Sequence, residues 1–263
     1  MTENNPPKPV DASPTDMAPL IAGLKEWLGQ HKGDSVSRRS VPPGELVKRF
    51  GFAEEGKGRP EVILSEDVFV ELGHPSQASL AVILTTFDPS LVENGRVTVV
   101  GPDVSAMRQD ERPSFAQVIV VAVDPLNIPD PFSLENAQYL MHRLPGYMVR
   151  SVPGRLWVRM SKKGRAAGLD LFSVGSAMNA SLARDFPGVL AVETIFVTRS
   201  REAVEELGPI SVESKIFSGQ HKKLVLGLDG TVECTELNCE TCEEKPVCDT
   251  LRDVVIARRE SKR

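Results

Sequence analysis

All four cysteines of this chain fall within one fifteen-residue stretch, Cys234 to Cys248, spaced Cys-x4-Cys-x2-Cys-x5-Cys, and the other 248 residues hold none. Cysteines that merely fill a core are dispersed, whereas ligands that converge on one ion or cluster are bunched. Crowded thiolates also need a cation to absorb their charge. The spacing therefore predicts a metal centre held by Cys234, Cys239, Cys242 and Cys248. Such a centre would organise the whole segment 213–263. The alternative at this stage is a surface loop of free thiols.

The identity of the metal follows from the gaps. Cys234, Cys239 and Cys242 reproduce the first three ligand spacings of a plant-type 2Fe–2S site, but Cys248 lies too close to be its fourth ligand. Four ligands in so short a loop suit a compact 4Fe–4S cubane. Zinc sites more often pair two Cys-x2-Cys knuckles across a longer insert, and one knuckle is present here. An iron–sulfur cluster of the 4Fe–4S type is the favoured cofactor, with zinc as the alternative. Glu233, Glu236, Glu240, Glu243 and Glu244 surround the thiolates. They would lower a cluster's potential, while zinc would tolerate them equally.

Other classes are argued against by charge and pattern. A net charge of −5 provides no overall field for nucleic acid or an anionic membrane. The longest apolar run, Val118 to Val123, is far too short to span a bilayer. The opening residues MTENNPPKPVDASPTD lack the basic-then-apolar pattern of a signal peptide. The expectation is a cytoplasmic protein, whose reduced thiols point to metal rather than disulfides. No P-loop, Gly-x-Ser-x-Gly or dinucleotide fingerprint occurs.

Periodicity divides the chain. Residues 1–16 read as a disordered, proline-rich tail. In 17–60, Leu20, Ile21, Leu24, Trp27 and Leu28 recur at helical spacing, a short helix is expected at Gly44–Phe50, and Glu54–Arg59 reads as a connector. The stretch 61–212 reads as one domain. Its expected strands are Val68–Leu72, Leu80–Thr85, Arg96–Val100, Ala116–Val123, Tyr147–Val152, Arg155–Met160 and Val192–Val197. Helices are expected at Ser133–Leu144, Ser173–Phe186 and Ser200–Leu207. In 213–263, Leu224–Leu228 and Thr231–Glu233 form a hairpin leading into the cysteines, and 249–261 a final helix. Strands and helices mix without strict alternation. The fold class is α+β, a mixed sheet packed with helices plus a small C-terminal metal-binding hairpin and helix.

Between Glu135 and Asp170 no acidic residue occurs, while Arg143, Arg150, Arg155, Arg159, Lys162, Lys163 and Arg165 do. In a net-acidic chain this segregation creates a local positive field suited to an anionic ligand or partner. Along Arg155–Met160 one face presents Arg155, Trp157 and Arg159, the other Leu156, Val158 and Met160. A two-residue loop at Pro153-Gly154 would set Arg150 opposite Trp157 and Val149 opposite Val158. An indole flanked by guanidiniums suits a purine with phosphates. The plain alternative is a half-buried Trp covered by its Arg neighbours through cation–π contacts. Arg150, Arg155 and Lys162 enter as ligand-binding candidates on charge alone.

The stretches GRVTVVGPDV (95–104), RLWVRMSKKG (155–164) and DLFSVGSAMNASLARDFPGVLAVETIFVT (170–198) resemble the middle domain of acetyl-CoA synthase. That enzyme is the β subunit of the carbon monoxide dehydrogenase/acetyl-CoA synthase complex. VFVELGHPSQASLAVI (68–83) is similar to the strand entering the same domain. The resemblance runs from about residue 65 to 205 and implies an α+β domain whose tryptophan and arginine, here Trp157 and Arg159, are associated with coenzyme A.

It also implies an accessory protein of anaerobic CO and one-carbon metabolism, with a corrinoid or redox protein as partner. No two cysteines here are separated by a single residue, so the Cys-Gly-Cys motif that holds the family's nickel is missing. The chain reads as the family's middle module joined to a different metal-binding tail, without an expectation of synthase catalysis. A zinc-stabilised protein-interaction module is the alternative function.

Overall fold

In this computed structural model the described residues are 16–31, 36–52, 61–129, 133, 134, 137, 144–152, 155–217, 224–226 and 232–234. The chain divides into two compact units, Met1–Ser218 and Gly219–Arg263.

The first unit is built on a mixed five-stranded sheet of β1 (Val36–Arg39), β4 (Val97–Val100), β8 (Val189–Val197), β5 (Phe115–Val123) and β3 (Ser79–Thr86), in that spatial order. β3 runs parallel to β5 and β4 parallel to β8, while β5 and β8 are antiparallel, as are β1 and β4. Every residue of β5 is buried. That is why Val118–Val123 within it reads as an unbroken apolar run: both faces of the sheet are covered.

On one face lie Leu20, Ile21, Leu24 and Leu28 of helix α1 (Ala18–Gln30) and Ala203 and Val204 of α5 (Arg201–Glu205). They cluster with Leu80, Val82, Leu84, Val118, Val120 and Ile195. On the other lie Leu46 and Phe50 of α2 (Pro43–Phe50) and Val174, Ala177, Met178 and Leu182 of α4 (Leu171–Asp185).

α4 begins two residues before the expected Ser173. Asp170 is the cap, and its Oδ1 accepts the Ser173 amide at 2.7 Å.

A second, antiparallel sheet completes that side, with β2 (Val68–Leu72), β7 (Arg155–Ser161) and β6 (Tyr147–Val152) in that order. Its inner residues Val70, Leu72, Leu156, Val158 and Met160 are fully buried and join Phe115, Ile119, Val121 and Phe196 in one core. The register is the one expected from the two-residue loop, with Arg150 opposite Trp157 and Val149 opposite Val158. The segment after β4 lines the free edge of β2: Glu71 N donates to Glu111 O (3.1 Å), and Gly73 N to Pro113 O (3.0 Å).

The architecture is α+β, as expected. Apart from three single 3-10 turns, the described elements not legible beforehand are β1, the one-turn helix α3 (Lys162–Ala166), and α6 (Gly208–Phe217). In the second unit, β9 (Leu224–Leu226) pairs antiparallel with β10 (Val232–Cys234), so the expected hairpin delivers the chain to the first cysteine. The 1–16 tail (Asp16 apart), the Glu54–Arg59 connector, most of the Ser133–Leu144 helix and the 249–261 helix lie outside the described residues. No helix among the described residues is long and apolar enough to cross a membrane.

Candidate functional site

The outer face of the three-stranded sheet carries the chemistry. Alternation along β7 sends Leu156, Val158 and Met160 into the core and leaves Trp157 and Arg159 half-buried on the other side. Cross-strand pairing brings Arg150 of β6 onto the same indole, with its Cζ 4.5 Å from the ring centroid, and Arg159 Cζ lies 5.2 Å from it. The His74 ring meets the indole edge-on, with centroids 5.5 Å apart and planes at 81°. Trp157 Nε1 is buried without a hydrogen-bond partner among the described residues. An indole donor in that position is uncommon, because buried polar groups are normally paired.

Glu71 holds this arrangement. It is the register partner of Arg159 on the neighbouring strand, and its carboxylate is 8% exposed. Arg159 Nε donates to Glu71 Oε1 at 2.7 Å, and Arg159 Nη1 to the Ile63 carbonyl at 3.2 Å. Arg112 Nε lies 3.1 Å and His74 Nε2 3.8 Å from the other carboxylate oxygen. A carboxylate buried to this degree needs such partners, since an unpaired one would be expelled or neutralised. Arg159, 12% exposed, is thus committed within the protein. Arg150 is exposed and meets no carboxylate among the described residues.

The remaining candidates are spread around this centre. Lys162 follows β7 directly, and its exposed Nζ donates to the Glu66 carbonyl at 2.6 Å. Arg155 stands opposite Val152 at the hairpin end, and its side chain is outside the described residues. Arg165 lies with Cζ 5.5 Å over the Phe69 ring and donates to Ser105 O. Of the cysteines, Cys234 is placed by its backbone, opposite Leu224 at the end of β10. Cys239, Cys242 and Cys248 lie outside the described residues.

Glu71, His74 and Arg112 were not found by sequence reasoning. One signal was available: a single carboxylate in the apolar strand VFVEL, on the same alternation as the Arg-x-Trp-x-Arg strand it pairs with. Arg112 comes from a loop, and nothing in its local sequence announces the contact.

Asp103 and Asp124 have structural work. Asp103 Oδ1 accepts the amides of Val104 (2.7 Å) and Leu171 (2.9 Å), while burial pushes its carboxyl above the ordinary range. Asp124 Oδ1 accepts the Leu126 amide in a turn. The Tyr147 hydroxyl is also pushed up by complete burial.

The fold and this face define an α+β domain bearing a guanidinium-bracketed aromatic surface. Residues 50–204 match the family described as CO dehydrogenase/acetyl-CoA synthase complex beta subunit, more than half of the 263 residues, and the chain belongs to that family. It is 24% identical over 179 residues to the acetyl-CoA decarbonylase/synthase complex subunit beta of Archaeoglobus fulgidus, covering 65% of this chain and 34% of that protein. The corresponding subunit of Methanopyrus kandleri is 28% identical over 147 residues, 56% of this chain and 31% of the relative. The subunit beta 2 of Methanosarcina thermophila is 28% identical over 165 residues, 61% and 34%. The chain spans about a third of the length of these relatives. The matched segment includes Glu71, Arg150, Trp157 and Arg159, and ends before the four cysteines.

Proposed function

We propose that this protein serves the carbon monoxide and acetyl-CoA chemistry of its family as an accessory chain rather than as the synthase itself. Its α+β domain binds coenzyme A, or a corrinoid or redox partner presenting similar anionic groups, on the Trp157 face. The C-terminal cysteines Cys234, Cys239, Cys242 and Cys248 hold an iron–sulfur cluster, 4Fe–4S by spacing.

The observation that carries the ligand reading is the exposed Arg150 guanidinium lying 4.5 Å over the Trp157 ring with no carboxylate to neutralise it among the described residues. A planar cation on an indole is a stacking platform for a purine and an anchor for its phosphates. Membership of a family whose relatives are named acetyl-CoA decarbonylase/synthase subunits gives coenzyme A priority among such ligands. Against synthase catalysis stands the absence of any Cys-x-Cys pair in the sequence.

Calorimetric titration of the full chain with coenzyme A tests the ligand half. Saturable binding that is weakened at least tenfold by Arg150→Gln supports it, and no heat at millimolar ligand refutes it. Metal analysis after anaerobic purification tests the other half. About four irons per chain are expected for a cubane; one zinc and no iron would assign the cysteines to a folding role and favour an interaction module.

A further inference from the structure

We propose that Glu71 sets the net charge of the Trp157 face and is thereby the residue that determines how anionic a ligand the face accepts; this rests on the ring-binding reading above. Arg112, Arg150 and Arg159 converge on this side of the sheet, the first and last on Glu71 and the last two on the indole. Among the described residues, Glu71 is the one carboxylate paired with them. Three guanidiniums and one carboxylate leave the cluster two charges positive.

Glu71 cannot swing aside to suit a ligand. Its backbone is paired on both flanks, to Arg159 across the sheet and to Glu111 O at the edge, and its side chain is buried. The carboxylate is therefore a fixed negative charge within the ligand's field. Arg112 is 54% exposed, so its charge can be removed without opening the core.

The chemical class that fits is a flat ring bearing one or more phosphates near Arg150. For such a ligand, one unit charge at about 8 Å changes affinity roughly twofold per ligand charge at low ionic strength. A multiply charged ligand is thus moved by about two- to tenfold, an uncharged one not at all.

The test is a calorimetric series on the full chain with adenosine, AMP and coenzyme A, using wild type, Glu71→Gln, Arg112→Gln and the double variant. Glu71→Gln is expected to tighten coenzyme A several-fold and AMP less. Arg112→Gln is expected to weaken both, and the double variant to return near wild type. Adenosine should be indifferent to all three changes, and the differences should shrink in 0.5 M salt.

A purely structural role predicts something else: Glu71→Gln would weaken all probes together, adenosine included. That result, or equal affinities throughout the series, overturns the role of Glu71 while leaving the ring-binding reading intact. If no probe binds wild type, both fall. Should Glu71→Gln not fold, as judged by circular dichroism, Arg112→Gln decides alone: selective weakening of the charged probes supports the proposal, and no change refutes it.

Discussion

Replacing Gly175 with alanine separates two opposed effects on one helix. Alanine in a helix interior is favoured over glycine by about 1 kcal/mol, from backbone entropy alone. Gly175, however, lies in α4 where the helix rests on the five-stranded sheet. A Cβ there would sit 2.7 and 2.8 Å from the two methyls of Val97 and 3.0 Å from Phe196 Cε2. Comfortable carbon–carbon contact is about 3.5–4.0 Å, so the helix must retreat by roughly 1 Å or the strand must give.

The strand has little freedom. Val97 is completely buried with a stiff β-branched side chain, and β4 is clamped between β1 and β8. Phe196 is also completely buried, stacked on Phe115 at 5.6 Å. Retreat of α4 would instead loosen Val174, Met178 and Leu182. Overpacking of this kind costs about 1–3 kcal/mol, so after the helix-propensity gain of about 1 kcal/mol the net expectation for Gly175→Ala is a loss of about 0–2 kcal/mol.

Gly23, on the exposed side of α1, meets nothing within 4 Å. Gly23→Ala should therefore stabilise by about 0.5–1 kcal/mol. Urea unfolding followed by far-ultraviolet circular dichroism reads both variants, and Val97→Ala in the Gly175→Ala background should cost less than the two changes summed. If Gly175→Ala gains as much stability as Gly23→Ala, the helix-on-sheet packing described above is wrong.

Two further outcomes follow from buried polar groups. Burial, offset only in part by Lys25, Arg96 and Arg38, holds the Glu193 carboxyl above its ordinary range. Its ionised form is less well accommodated in the fold than in the unfolded chain, so it costs stability as pH rises from the ordinary carboxylate range through the raised folded value. Glu193→Gln keeps an acceptor for the Glu93 amide, now 2.6 Å from Oε2, and should gain on wild type as pH rises above the ordinary carboxylate range. A stability difference that does not vary with pH contradicts this. Asn179 donates to Arg96 O (3.1 Å) and accepts from the fully buried Thr194 hydroxyl (2.7 Å). Asn179→Ala strands that hydroxyl and should cost about 1–3 kcal/mol in urea unfolding, part of which Thr194→Val restores; a loss that Thr194→Val deepens instead would refute the pairing.

Much of the fold was legible because burial imposes a period. β3 shows it most plainly, with Leu80, Val82 and Leu84 buried and the residues between them half-exposed. The hairpin register, too, followed from a two-residue loop. β1 was hidden because VSRR carries three exposed residues and no apolar alternation: an edge strand is specified by its neighbour rather than by itself. α6 follows Leu207 directly, with Pro209 in its first turn and an irregular stripe, so it carries no helical period that stands out in the sequence. At the site, the indole and its arginines were readable from alternation. The clamp was not, because Glu71, His74 and Arg112 are separated from Trp157 and Arg159 by loops and strand crossings that only the fold brings together.

The most direct trial of the ligand face is the indole NMR signal of Trp157 in isotope-labelled full-length protein as coenzyme A is added. The chain has two tryptophans, and Trp27 Nε1 is occupied by Glu206 at 2.8 Å while Trp157 Nε1 has no partner among the described residues. Binding at the proposed face moves the Trp157 resonance saturably and leaves that of Trp27 in place. A Trp157 resonance that stays still at saturating coenzyme A, or two signals that drift together, would contradict it.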